Sequence, residues 1–307
     1  MEIELLIQKK KEIYCSLIDF IENTDFESLI EIFEKHSIIK DKEEIIYTLQ
    51  LLSKISDKHH RLPDFIDKLS KIIQYLIRDK KAQIPDYKIY EIFKNNKRIL
   101  LLLLKQGFIQ PNEEIIIDIM ETEDKYNFPY SHYLYSGLKT FIDENQTKMI
   151  ESEIKQRYKE EIATFEEKCE IGENDSYICS LIRKDSVEEF ISYVSRTNTP
   201  LSIHIQPSIF ETNSFLVQNK PTLIEYAFFF GSIQIIQYLK YSNVSLTDSL
   251  WLYAIHSNNA EMIHFLEENE IEPQRNGRYR TSNKRYQNVS CPDYGKIFKE
   301  SITLHYL

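Results

Sequence analysis

The chain has 307 residues, of which 42% are hydrophobic and 28% charged, enough apolar surface for a core and too much for a chain disordered throughout. Six glycines and nine prolines are too few turn residues for a β-sandwich or a doubly wound sheet, so the balance favours helices. A net charge of −10 argues against binding nucleic acid through the whole surface.

Cys15, Cys169, Cys179 and Cys291 have neither the density of a disulfide framework nor the spacing of a zinc finger. They read as reduced thiols of a cytoplasmic protein. The opening residues, Met1-Glu-Ile-Glu-Leu-Leu-Ile-Gln-Lys-Lys-Lys, carry their charges in the wrong order for a signal peptide. The longest apolar run, Ile99 to Leu104, falls far short of the ~20 residues that span a bilayer, so no membrane partner is expected.

In chain order, Leu6, Ile13, Leu17 and Ile21 share one helical face. Thr24 and Asp25 signal an N-cap for a helix carrying Phe26, Leu29, Ile30, Ile32 and Phe33. Residues 43–56 repeat the habit, and Pro63 stands where a further helix begins, ahead of Phe65, Leu69, Ile72 and Leu76. Residues 90–111 look like a helix pair with Asn95 at its turn and Gly107 at its end. The aromatic stretch from Tyr126 to Tyr135 contains Pro129 and reads as a loop or helix break. Residues 141–168 interleave glutamate and lysine, as solvated helices linking two halves do. Another pair follows over residues 176–194 with Asp185 at its turn, then an irregular connection over 195–220 with a short helix near 208–216.

A repeat then declares itself. Ala227 returns as Ala254 after 27 residues, Gly231 as Asn258, Ile235-Ile236 as Met262-Ile263, Tyr238-Leu239 as Phe265-Leu266, and Val244 as Ile271. A short fixed period marks a solenoid, whose units bury their apolar faces only against one another. Gly107, Asn243 and Glu270 each lie twelve residues beyond a turn position. Glycine and asparagine suit the left-handed conformation that closes a helix, and Glu270 is the poor member.

The block Thr222-Leu-Ile-Glu-Tyr-Ala-Phe-Phe-Phe-Gly-Ser resembles the ankyrin signature Thr-Pro-Leu-His-x-Ala-Ala-x-x-Gly-His, with Thr222, Ile224, Ala227 and Gly231 in register. Leu223, Glu225 and Ser232 depart from it, and the spacing is shorter than the full period of about 33 residues. With residues 173–185, 207–213 and 250–259, the block resembles a large protist family, best known from trichomonads. In that family an uncharacterised helical N-terminal domain precedes ankyrin repeats. The resemblance implies a cytosolic interaction protein and supplies no catalytic residues.

The expectation is therefore an all-α protein: a helical N-terminal domain over residues 1–145, a charged connector over 146–172, and an α-solenoid of degenerate ankyrin-like helix pairs over 173–307. The last region carries a basic insert near 274–290 and a truncated final unit over 294–307. The expected activity is non-catalytic binding of other proteins through the concave face, with no cofactor and no metal. Phe229 and Phe230 precede the turn glycine, and His256 and Ser257 take the same slots one repeat later. These four are candidate partner-binding residues, the alternative for the phenylalanines being packing against the next unit. Arg278, Arg280 and Arg285 of the basic insert are candidate contacts for an acidic partner. Two other functions compete: a helical enzyme or effector with a pocket in the N-terminal half, and nucleic-acid contact through residues 274–290.

Overall fold

A computed structural model describes residues 2–23, 25–59, 64–77, 84–257 and 259–273. Within these residues every regular element is an α-helix, beside one short 3-10 helix (Ile38–Lys40) and two isolated β-bridges. In order they are α1 (Glu2–Asn23), α2 (Phe26–Lys35), α3 (Lys42–His59), α4 (Phe65–Ile77), α5 (Asp86–Phe93), α6 (Lys97–Lys105), α7 (Glu113–Glu121), α8 (Tyr130–Tyr133), α9 (Tyr135–Leu138), α10 (Glu144–Tyr158) and α11 (Ile162–Ile171). Then come α12 (Tyr177–Arg183), α13 (Val187–Thr197), α14 (Ser214–Asn219), α15 (Leu223–Phe230), α16 (Ile233–Tyr241), α17 (Leu250–Ser257) and α18 (Ala260–Glu268). The protein is thus all-α. Pro63, Asn258, the basic insert with Arg278, Arg280 and Arg285, and the helix expected over 294–307 lie outside the described residues.

The chain divides into two compact units. Unit 1 is Met1–Glu173 with Ile209–Gln218, and unit 2 is the remainder. In unit 1, α1 packs against α2, α3 and α4, and α6 against α5, α8, α9 and α11. Ile13, Leu17 and Ile21 are buried as their spacing demands, while Leu6 is 47% exposed and leaves the face it was expected to share. Asp25 caps α2 by accepting from the Ser28 N–H at 3.2 Å. The expected break lies over residues 122–129, and Pro129 ends it in extended backbone (φ −64°, ψ 134°) as the residue before α8.

Two expectations need correction. Residues 146–172 belong to unit 1 and are not a solvated connector. Ile150, Ile154, Phe165 and Cys169 are buried, one apolar stripe beneath an otherwise charged surface. The connection after α13 is likewise not all of one unit. Its stretch Ile209–Gln218 packs in unit 1, where Phe210 meets the Phe165 ring with centroids 5.0 Å apart.

Unit 2 stacks helix pairs in two layers. The first helices α12, α15 and α17 pack side by side in one layer, and α13 packs on α16 in the other. One closure recurs. Asp185 and Gly231 are left-handed, with φ 51° and 68°, and the next residue donates its N–H five residues back. Those bonds are Ser186 to Leu181 O and Ser232 to Ala227 O, both 3.0 Å, the pattern of a left-handed helix stop. The second helices end the same way at Asn198, Asn243 and Glu270, all at positive φ, with Thr199, Val244 and Ile271 donating back to Val194, Leu239 and Leu266. In unit 1, Gly107 has φ 71° and Phe108 donates to Leu103 O, but Asn95 is not left-handed. The shared turn geometry therefore stops at the second half of that pair.

The closures give a prediction of opposite signs. Glu270 pays a steric cost of about 1 kcal/mol for its left-handed backbone, which glycine avoids. Glu270→Gly is expected to raise stability by roughly 0.5 kcal/mol after glycine's larger entropy loss. Asp185 stands in the same conformation, but its carboxylate accepts from the Gln234 and Ile235 N–H groups at 3.0 Å and caps α16 from the preceding pair. Asp185→Gly is expected to lose about 1 kcal/mol. Urea midpoints of the two variants check both signs, and a gain in each case removes the capping argument.

Candidate partner-binding face

The C-terminal ends of the first helices in unit 2 are positioned by well-made starts. At α15, Thr222 and Glu225 form a capping box, with the Thr222 N–H donating to Glu225 Oε2 at 2.8 Å. The other Glu225 oxygen accepts from Ser249 Oγ at 2.8 Å, so one carboxylate starts α15 and ties the entry of α17 to it. Burial and the neighbouring Glu225 carboxylate push the Tyr253 phenol above its ordinary range. Trp251 is half-buried and donates from its indole to Ile271 O at 2.9 Å, bracing the end of its own helix pair.

Phe229 is 1% exposed. Its ring stacks on His256 with centroids 5.9 Å apart and 28° between planes. Of the two expected uses for Phe229, packing against the next unit is the one observed, because its slot points into the contact between α15 and α17. Phe230 is half-buried and meets Phe229 at 5.1 Å and Tyr226 at 4.6 Å. The Tyr226 hydroxyl accepts from Arg183 Nη1 at 2.9 Å, and the same nitrogen donates to Asn174 O at 2.8 Å. A continuous row thus runs across three first helices, from Arg183 through Tyr226, Phe230 and Phe229 to His256.

Ser257 is half-buried too, but its hydroxyl donates to Ala254 O at 2.6 Å and accepts from the Asn259 N–H at 3.1 Å. It closes its turn, which corrects the expectation that its hydroxyl is offered to a partner. Sequence reasoning missed Arg183 and Tyr226. The signal was there for Arg183, which lies two residues before Asp185 as Phe229 lies two before Gly231. Phe230, Arg183 and His256 are the partly accessible members of the row, and the adjoining Lys184 is exposed. A cation beside an aromatic surface is the composition of binding hot spots.

Unit 1 has a different polar cluster. Lys97 is 5% exposed. Its Nζ donates to Ile209 O at 2.7 Å and Asp124 Oδ2 at 3.2 Å, and lies 5.0 Å from the centre of the Tyr133 ring. Burial pushes the Lys97 ammonium below its ordinary pKa, against the pull of Asp124. Burial likewise pushes the Cys169 thiol and the Tyr133 phenol up, so both stay protonated. The Tyr133 hydroxyl donates to Cys169 O, and Asp124 Oδ1 accepts from the Tyr126 and Phe128 N–H groups at 2.9 and 3.1 Å. These groups satisfy one another and fasten the stretch that begins at Ile209.

An open cleft of 570 Å³ lies elsewhere in unit 1, lined by Tyr47 and Gln50 of α3 and Tyr87 and Lys88 of α5 among others. Among the described residues there is no group of three or more His, Cys, Asp or Glu side chains able to hold a metal ion, and no helix long and apolar enough to cross a membrane. No protein-family model, curated protein or solved structure matches the chain.

Proposed function

We propose that this chain is a non-catalytic protein-interaction module, whose C-terminal unit is a degenerate ankyrin-like solenoid that presents one layer of first helices to a partner protein. The carrying observation is the repeated closure. Helix pairs of the same build, ended by the same left-handed turns, lie in two layers with α12, α15 and α17 side by side. Such a stack offers a preformed surface, which limits the ordering cost of binding. The register of Thr222, Ile224, Ala227 and Gly231 supports kinship with the protist ankyrin-repeat family. Cys169 is a free, buried thiol, which suits the reducing cytoplasm.

The binding residues in this reading are Arg183, Lys184, Phe230 and His256. The test is affinity capture from the native cell lysate with wild type beside a Lys184→Glu/Phe230→Ser variant shown by circular dichroism to be folded. The expected result is a protein partner held by wild type and weakened about tenfold or more in the variant. A partner that both hold equally overturns the assignment to this face.

A further inference from the structure

We propose that the cleft of unit 1 between α3 and α5 binds a short acidic peptide segment of a partner protein, a contact separate from the helix row of unit 2. The cleft holds about 570 Å³, the size of a ligand site, and it is open, which suits an extended chain. Its apolar share comes from Ile46, which is 7% exposed, from Pro85, and from the rings of Tyr47 and Tyr87, the latter 45% exposed. Tyrosine offers a large contact area for little loss of side-chain freedom and is enriched where proteins meet.

The charges around these rings favour an acidic occupant. Lys42 and Lys88 line the cleft, both are exposed, and neither pairs with a described residue. Lys10 adds a third cation, its Nζ 4.3 Å from the centre of the Tyr47 ring. The neighbouring acids are spent on the fold: Glu44 accepts from Lys9 at 2.7 Å, Asp86 from the Gln110 N–H at 3.1 Å, and Asp41 from the Glu43 N–H at 2.9 Å. Glu43 is the one carboxylate in the lining. A cationic cleft on a chain of net charge −10 selects its partner by sign. Exposed ion pairs contribute little affinity, so Ile46 and the tyrosines supply the contact and the lysines choose the sequence. Glu43 and the aliphatic surface tell against a nucleic-acid strand.

The polar groups are available and the walls are in place. The side chains of Lys42, Gln50, Tyr87 and Lys88 make no hydrogen bond to a described residue. α3 packs on α5, and the Ser53 hydroxyl donates to Ile92 O at 3.0 Å. A cleft with joined walls needs little reordering when it binds.

The test selects phage-displayed random peptides on the immobilised full chain and measures the enriched sequences, as synthetic peptides, by fluorescence anisotropy. Enrichment in aspartate and glutamate around an apolar residue is expected, with affinity falling as salt rises. Lys42→Glu/Lys88→Glu and Tyr87→Ala are each expected to weaken the peptide about tenfold or more. Each charge reversal places an acid in the first turn of a helix, where acids are favoured, so the variant folds, as its urea midpoint checks. Failure to enrich acidic sequences overturns the proposal. So does an acidic peptide that these variants hold as tightly as wild type. If Lys184→Glu/Phe230→Ser releases that peptide instead, it belongs to unit 2, and the reading of that face stands. Oligouridylate is the last arm: binding tighter than the peptide's and lost in Lys42→Glu/Lys88→Glu assigns the cleft to nucleic acid and overturns the peptide.

Discussion

Phe229→Ala is expected to destabilise unit 2 by about 3–4 kcal/mol, the range for removing a fully buried phenylalanine. Phe229 is 1% exposed, and its ring is shared between α15, where it meets Phe230, and α17, where it stacks on His256. Truncation therefore opens a cavity at the contact between two helix pairs, where α15 packs on α17. Phe230→Ala is expected to cost about 1 kcal/mol, since its ring is only half-buried. Urea unfolding of each single variant, followed by circular dichroism, separates the two. Equal losses mean that Phe229 has no special place between the pairs. The difference governs the choice of binding variants: a lost partner in Phe229→Ala reports a damaged fold, whereas one lost in Phe230→Ser reports a damaged surface.

Much of this architecture was legible, and the reasons for the rest are physical. The turn positions could be found because a left-handed residue followed by a bond five residues back is a local device that favours glycine or asparagine. Glu270 looked wrong by residue type, yet it takes φ 56°. Its closure is held by Ile271 donating to Leu266 O, and tertiary context overrode propensity. Residues 146–172 were misread because only four buried side chains, Ile150, Ile154, Phe165 and Cys169, mark the inner face. The surrounding glutamates and lysines mask so sparse a stripe. The placement of Ile209–Gln218 in unit 1 depends on bonds to residues about a hundred positions away, such as Lys97 to Ile209 O. No local pattern encodes them. The aromatic row was half legible: the spacing located Phe229, Phe230 and His256, but could not say which ring faces the neighbouring pair.

Lys97→Met is expected to cost unit 1 about 3–5 kcal/mol, because breaking a buried pair strands its partners. Asp124 keeps the Tyr126 and Phe128 N–H groups but loses its cation, and Ile209 O loses its donor. The pair itself contributes less than its breakage costs, so Lys97→Met/Asp124→Asn is expected to recover part of the loss. Alkaline titration separates the pairing from the burial. Burial depresses the folded-state pKa of Lys97 below its ordinary 10.5. In the window beneath 10.5 the unfolded chain therefore holds a proton that the folded chain has released, and the Lys97 contribution to stability rises with pH. The buried tyrosines act the other way. Burial raises Tyr90 and Tyr133 above the ordinary 10.0, so the stability they confer is present below that pH and lost above it. Both proteins carry the tyrosines, and subtracting the Lys97→Met curve from that of wild type removes them. The difference is expected to climb as the pH rises towards 10.5 and to level off above it. A flat difference would show Lys97 solvated and protonated as in water, and with it would go the argument that this lysine fastens the stretch beginning at Ile209 into unit 1.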